Sequence, residues 1–352
     1  MNYLFVYKYS KIQGGIQEIM RNLGSGLIQK DEKCNIYVLA DHSDYKILNY
    51  SFEDGMHVYY LNANNILKVL YKFKIDVLCV FEPYKNYFYL TFLIKLLKRK
   101  IITNLIFCGS VSEYSNWIVN RITFVVVWLY DNLVAVSNYA KSVSLGGKYL
   151  DSINVIYNPV KINQYSISNF ERYNILTIGR ICSRKNYSDL IKMFNLVHKI
   201  NPKIHLDIIG SYETMRQGYY DQIIKMVSDL SLKNCITFHG KVSEEKKIQL
   251  LSESRIYATT STHEMFGITT VEAMASGLPI IAYNNSATKE VVNLSNGILV
   301  DDGRFDLMAK EVTNLIKNER KVFEMSKKSF EAAKQFNLDY FIDNYLNLFK
   351  TS

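Results

Sequence analysis

Paired cysteines are missing from this chain of 352 residues. Its five cysteines stand at 34, 79, 108, 182 and 235, with no Cys-x-x-Cys spacing, and an odd count argues against a disulfide framework. A reducing, cytoplasmic setting is the expectation. No secretory leader is expected either: Met1–Tyr7 runs straight into a strand-like segment, with neither a basic start nor a small-residue cleavage site. The most apolar stretch, Trp117–Val136, is interrupted by Asn120, Arg121, Asp131 and Asn132, which a spanning helix would have to bury in lipid. A buried helix, a turn at Asp131-Asn132 and a strand are expected there instead. The chain has no internal repeat and no low-complexity tract. Tyrosine is abundant at 27, but no aromatic-rich RNA-binding motif appears, so nucleic acid is not an expected partner.

What is present is apolar material in short runs. The chain is 48% hydrophobic, too much for a disordered protein and enough for two compact domains, and its mean hydropathy is near zero. A formal net charge of +9 favours anionic partners without choosing among phosphates, nucleic acid and a membrane surface. In the first half, strands are expected at Tyr3–Tyr7, Asn35–Leu39, Val77–Phe81, Ile102–Phe107, Leu133–Val136 and Asn154–Ile156, with helices such as Ile16–Gln29 and Asn86–Leu97 between them. In the second half, strands are expected at Ile175–Ile178, His205–Ile209, Ile236–Phe238, Ile256–Thr259, Pro279–Ala282 and Ile298–Val300. Strands alternating with helices imply parallel sheets covered on both faces, an α/β chain of two doubly wound domains. Asn158-Pro159 and the polar stretch Lys161–Tyr173 mark the boundary. The domains are read as 1–160 and 161–335, with 336–352 a terminal helix that packs back on the first. Doubly wound domains bind ligands at the carboxyl ends of their strands, and a cleft between two of them suits a nucleotide-bearing substrate.

Four features cluster in the second half. Ile178-Gly179-Arg180 ends a strand at a glycine, and Lys185-Asn186 follows. Arg180 offers forked donors to phosphate oxygens and Lys185 a mobile point charge, although two surface cations at a strand–helix turn would look the same. Ile208-Ile209-Gly210-Ser211 is a strand ending in glycine, as in most α/β domains. Glu264 and Glu272 lie eight positions apart around a helix start near Ile268 or Thr269. The amides of Phe266, Gly267 and Ile268 then point out of a helix N-terminus, a site for a diphosphate. Glu272 is placed to accept from ribose hydroxyls and Glu264 to hold a sugar beyond the diphosphate; either alone also reads as a dipole partner. Finally Ala273–Ala282 stops a helix at Gly277 and restarts as a buried strand after Pro279.

In this order and spacing, the features resemble the retaining nucleotide-sugar glycosyltransferases of the GT-B class, family four. The likeness runs through Val155–Val160, Gly179-Arg180 with Lys185-Asn186, His239-Gly240-Lys241-Val242, the Glu264–Glu272 stretch, Gly277–Ile281 and Asn296–Val300. It is strong over 153–317 and looser before that. The resemblance implies two Rossmann-like domains around a cleft, the second holding the nucleotide and the first mainly the acceptor. It implies that Arg180 and Lys185 stabilise the departing nucleoside diphosphate, that Glu264 binds the donor sugar and Glu272 the ribose, and that Val242 belongs to the donor site. The expected donor is a UDP-sugar, and the expected acceptor a glycan, lipid-linked in bacterial surface polysaccharide synthesis. No cofactor and no metal is expected, since cations and helix amides do a metal's electrostatic work and no Asp-x-Asp triplet appears.

In the first half, Gln13-Gly14-Gly15-Ile16 follows the first strand, and its two glycines let amides approach a phosphate closely. The resemblance places Gly14 and Gly15 over the donor. It also implies a histidine after the fourth strand, but the stretch reads Leu105-Ile106-Phe107-Cys108-Gly109-Ser110, and none of the six histidines falls there. A thiol is a poor substitute for imidazole. Either the contact is dispensed with, or Ser110 or a backbone carbonyl supplies it, or the correspondence shifts along the chain. Cys108 reads more readily as a buried free cysteine than as a nucleophile, and His263 needs no catalytic explanation. Phe92–Arg99 with Lys100 reads as an amphipathic helix whose basic face is either solvated or rests on anionic lipid at the inner face of the cell membrane. Two other readings fit the same architecture: a UDP-sugar epimerase, and a non-catalytic nucleotide-sugar or nucleic-acid binder.

Overall fold

The computed structural model describes residues 1–8, 15–41, 49–53, 55–61, 72–82, 91–92, 94–96, 100–108, 125, 128–170, 173–212 and 217–351. The chain forms two compact units, Met1–Pro159 with Leu338–Ser352, and Val160–Asn337. Among the described residues no helix is long and apolar enough to cross a membrane.

The first unit holds β1 (Asn2–Lys8), α1 (Gly15–Lys30), β2 (Asn35–Asp41), β3 (Asn49–Glu53), β4 (Met56–Leu61), β5 (Val77–Phe81), β6 (Ile102–Phe107), β7 (Asn132–Ala135), α2 (Asn138–Val143) and β8 (Ile153–Val155). The strands form one sheet in the order β3-β4-β2-β1-β5-β6-β7-β8, parallel except that β3 runs against β4. β5 and β7 are buried along their whole length, which is why they read as unbroken apolar runs. The expected turn at Asp131 is stitched to β6, since the Asp131 carboxylate accepts from both the N–H and the hydroxyl of Thr103, at 2.9 and 2.8 Å. Lys95 pairs with the same carboxylate, which ties one cation of the basic helix read at Phe92–Arg99 to the protein itself. Residues 93 and 97–99 of that stretch lie outside the described residues.

The second unit holds β9 (Asn174–Ile178), α3 (Tyr187–Ile200), β10 (His205–Ile209), α4 (Gln217–Asp229), β11 (Ile236–Gly240), α5 (Glu244–Glu253), β12 (Ile256–Thr259), α6 (Ile268–Ala275), β13 (Ile280–Tyr283), α7 (Thr288–Val291), β14 (Gly297–Val300), α8 (Phe305–Lys317) and α9 (Glu319–Ala333). All its strands are parallel, in the order β11-β10-β9-β12-β13-β14. Counted within the unit, that is 3-2-1-4-5-6, the doubly wound order, with its reversal between β9 and β12. Ile175, Ile208, Ile256, Ala258 and Ile281 pack with residues of α3, α4 and α8 into one buried cluster. Tyr257, alternating to the other face, meets Thr269 of α6, so helices cover both faces. Each of the fully buried isoleucines contributes about 1.5–3 kcal/mol.

α6 stops as its sequence requires. Gly277 takes φ +67 just after the helix, and a Cβ there would come within 2.9 Å of Ser326 Oγ. The last helix, α10 (Leu338–Lys350), belongs to the first unit, where it lies against α1. Lys30 pairs with Asp343 at 3.1 Å, and a Cβ on Gly26 would meet the Ile342 side chain at 2.4 Å.

Candidate active site

The reversal point of the second sheet is where polar groups gather. β9 delivers Gly179 and Arg180, the latter exposed at the strand's carboxyl end. A Cβ on Gly179 would lie 3.1 Å from Lys185 Cε, so the glycine makes room for the lysine stem to lie over the strand end. Gly210, at the end of β10, is needed for a closer approach still: a Cβ there would lie 1.9 Å from the Gly179 carbonyl oxygen. The two turns are laced by Gly179 N–H to Ile209 O and Ile181 N–H to Ser211 O. A feature that looked generic in the sequence is the tightest backbone crossing beside the site.

After Gly179 the chain makes a short 3-10 turn, Ser183–Lys185, and Asn186 enters the left-handed region at φ 48 to cap α3. Asparagine tolerates that conformation better than most residues, which is why it can end the turn and start the helix at once. Threonines from the loop after β12 fix this turn. The Thr260 hydroxyl donates to the carbonyl of Asn186 at 2.8 Å, and Thr262 N–H donates to that of Arg184 at 3.0 Å.

Between these two segments sits Glu264. Lys185 Nζ donates to its Oε1, and Arg184 lies 3.9 Å from its Oε2 while donating to the His263 carbonyl at 2.9 Å. The backbone of Glu264 is held from a third side, its N–H donating to Ser286 Oγ at 2.8 Å and its carbonyl accepting from Ala287 N–H at 3.1 Å. Burial disfavours the charged carboxylate, but Lys185 and then Arg184 outweigh it and hold the Glu264 carboxyl below the usual range. Burial and the Arg184 charge hold the His263 imidazole below its usual value, so it is neutral at neutral pH.

Gly267 takes φ +93, and the N–H groups of Thr270 and Val271 close on its carbonyl, which starts α6 at Ile268 as expected. The first-turn amides of α6 stand at this start. Phe266 is buried with its ring edge-on to Phe336, 5.4 Å between centroids, which anchors the loop. The Thr269 hydroxyl donates to the Ile178 carbonyl at 3.3 Å, so the helix start and the Gly179-Arg180 turn adjoin. Glu272 is buried one turn on and accepts from Lys247 Nζ of α5 at 2.6 Å.

The structure thus gathers Gly179, Lys185, Glu264 and the start of α6 in one unit. Arg180 stands at the same strand end. Val242 lies in the short link between β11 and Ser243, whose side chain caps α5. Gly15 opens α1 in the first unit, and Gly14 lies outside the described residues. Cys108 directly follows β6, and burial and the Glu82 charge push its thiol well above the usual range, so it is no thiolate nucleophile at neutral pH. Ser110 lies outside the described residues. Sequence reasoning missed Arg184, Ser286 and Lys247. It also missed the partner of His239, whose Nε2 lies 2.6 Å from Oδ1 of the fully buried Asp207. Only Arg184, directly before Lys185, carried a signal that could have been used. Among the described residues no group of three or more His, Cys, Asp and Glu side chains is arranged to hold a metal ion.

Residues 162–336 match the family model of the glycosyl transferases group 1. The chain belongs to this family. Among curated relatives it is 27% identical over 178 residues to the poly(glycerol-phosphate) alpha-glucosyltransferase of Bacillus subtilis, a match over 50% of this chain but only 25% of that protein. It is 24% identical over 326 residues to an uncharacterised glycosyltransferase of Haemophilus influenzae, covering 90% of this chain and 86% of the relative. Among solved structures it superposes on Anabaena HepE in complex with UDP and glucose with a TM-score of 0.82 over 100% of both chains at 18% identity, a likeness of fold. The glycosyltransferase fold expected from the sequence is thereby shown.

Proposed function

We propose that this group 1 glycosyltransferase is a retaining enzyme that moves a hexose or N-acetylhexosamine from a UDP-sugar to a glycan acceptor, lipid-linked, in bacterial surface polysaccharide synthesis at the inner face of the cell membrane. The observation that carries the reading is the Lys185–Glu264 pair at the sheet reversal, with Arg184 beside it and the start of α6 adjoining. The UDP and glucose bound by Anabaena HepE and the glucosyl transfer named for the Bacillus subtilis relative support the choice of donor.

In the proposed reaction, the bond from the anomeric carbon to the diphosphate oxygen breaks as a bond to the acceptor oxygen forms on the same face. The acceptor's hydroxyl proton passes to the departing phosphate, which then serves as the base. Charge develops on the diphosphate. Lys185 has three donors and spends one on Glu264, and with Arg180 and the first-turn amides of α6 it stabilises that charge where it appears. Glu264, held ionised, accepts from hydroxyls of the donor sugar, and Glu272 from the ribose. Because side-chain cations and amides supply the electrostatics, turnover is expected to survive a chelator. An absolute requirement for a divalent ion would contradict this account.

The test is a defined donor–acceptor assay on Lys185→Ala and Glu264→Ala, both expected to keep the fold and to lose about 100-fold or more in kcat/KM, the scale of removing one group that stabilises the transition state. Near-wild-type rates in both would remove the assignment. Retention is tested separately by NMR of the product, where an inverted anomer would overturn it.

A further inference from the structure

α5 is a polar helix with one charge out of place. Its sequence, Glu244-Glu245-Lys246-Lys247, reads as a solvated first turn. Glu244, Glu245 and Lys246 are exposed, and Lys246 donates to Gln249 of its own helix at 3.1 Å. The Lys247 side chain is 15% exposed and reaches beyond its own helix. Its ammonium donates to Glu272 Oε1 of α6 at 2.6 Å and lies 2.7 Å from Glu244 Oε1. Burying an ammonium costs several kcal/mol unless it is paired. Here burial pulls the Lys247 pKa down, and Glu272 followed by Glu244 pulls it further up, so the group stays charged. A glutamate has three rotatable side-chain bonds, and a carboxylate that is to read hydroxyls must keep one orientation without a ligand to hold it. The Lys247 ammonium, by holding Oε1, fixes which way the Glu272 carboxylate faces.

We propose that Lys247 is a positioning residue for Glu272, and that the pair gives this site its preference for a ribose over a 2′-deoxyribose in the nucleoside diphosphate. The inference rests on the reading of Glu272 as the acceptor of ribose hydroxyls. A simple strut between α5 and α6 would stabilise the protein equally for any nucleotide. A positioning role is specific to the ligand that carries the hydroxyl.

The experiment compares UDP with 2′-deoxy-UDP by calorimetry on the wild type, Lys247→Met, Lys247→Arg and Glu272→Gln. The wild type is expected to favour UDP by about tenfold or more, the scale of one well-placed hydrogen bond. Lys247→Met is expected to bring that ratio close to one by weakening UDP alone, and Lys247→Arg to restore part of it. In turnover, the donor KM of Lys247→Met is expected to rise about tenfold with kcat changed less than about threefold. If Lys247→Met weakens both nucleotides equally or leaves the ratio at its wild-type value while Glu272→Gln collapses it, Lys247 is a strut and the proposal fails alone. If Glu272→Gln also keeps the ratio, or the wild type shows none, the ribose reading of Glu272 fails and takes the proposal with it.

Discussion

The two units share a winding and differ in what they place at its centre. Each sheet has its first strand in the middle, flanked by the second strand on one side and, on the other, by the strand that reverses the order: β2-β1-β5 in the first unit, β10-β9-β12 in the second. Ligands of such sheets bind at the carboxyl ends of the strands at that reversal. In the second unit the position holds Lys185, Arg184 and Glu264 tied to one another across two loops. In the first unit the described group just beyond β5 is the buried Glu82, whose carboxylate accepts from Cys108 N–H at 2.9 Å. One fold has been fitted at the same topological place with a compensated cluster of cations and with a carboxylate that holds a loop.

The sharpest way to break that comparison is to strip the cluster. Lys185→Ala and Glu264→Ala should each lower kcat/KM by about 100-fold or more. Glu82→Gln keeps an acceptor for Cys108 N–H and should leave UDP affinity, measured by calorimetry, within about twofold of the wild type. Equal losses of UDP affinity from both ends would mean that the donor is not held by the second unit alone.

The next contrast concerns packing. An alanine at Gly210 would drive its Cβ to 1.9 Å from the Gly179 carbonyl oxygen, a backbone atom fixed by the sheet. An alanine at Gly24 in α1 meets Met56 Sδ at 2.4 Å, the far end of a flexible side chain that can swing away. Thermal or denaturant unfolding should therefore show a loss of about 3 kcal/mol or more for Gly210→Ala and about 1 kcal/mol for Gly24→Ala. Similar costs would show that the Gly179–Gly210 crossing can relax.

A smaller effect follows from charge. Glu264 has its folded pKa pulled below the unfolded value of about 4.3, so between the two values the unfolded chain binds more protons. The stabilisation from its pairing is complete above about pH 4.3 and is lost as the pH falls through the lower folded value. Glu264→Gln should flatten that acid limb in a pH series of unfolding free energies while leaving the neutral-to-alkaline limb unchanged. An unaltered acid limb would mean that the pair contributes nothing to stability.

How much of this was legible depended on where each signal is written. Val77–Phe81, Ile102–Phe107, His205–Ile209 and Ile256–Thr259 are strands to the residue, because inner parallel strands are short apolar runs bounded by polar turns. β3 and β4 were not expected. Asn49–Glu53 and Met56–Leu61 mix polar and aromatic residues and pair antiparallel at the sheet edge, where burial imposes no clean pattern. Glu264 and Lys185 were legible because local turn chemistry and spacing mark them. Lys247 and Asp207 were not, because their partners, Glu272 and His239, come from other elements 25 and 32 residues away. A charged residue on a polar helix and a lone aspartate in a strand look ordinary until the fold supplies the other half.

The smallest expected effect tests the first unit on its own terms. Glu82 has φ +76, a left-handed conformation that costs a side-chain-bearing residue of order 1–3 kcal/mol. Its backbone N–H is tied to the Ile106 carbonyl at 3.0 Å, and its carboxylate holds the next residue but one of the same neighbouring segment, Cys108. Glu82→Gly relieves the backbone and gives up the carboxylate's hydrogen bond, a net contribution of about 1 kcal/mol or somewhat more. The two terms oppose, so the unfolding free energy should move by less than about 1 kcal/mol. Removing the charge should also let the Cys108 thiol titrate lower, since Glu82 is one of the two causes that raise it. Thiol reactivity against pH should then shift toward neutrality in Glu82→Gly and Glu82→Gln alike. A loss of several kcal/mol in Glu82→Gly would instead make this carboxylate a structural keystone of the first sheet, held by its partners as firmly as Glu264 is by the cations of the second.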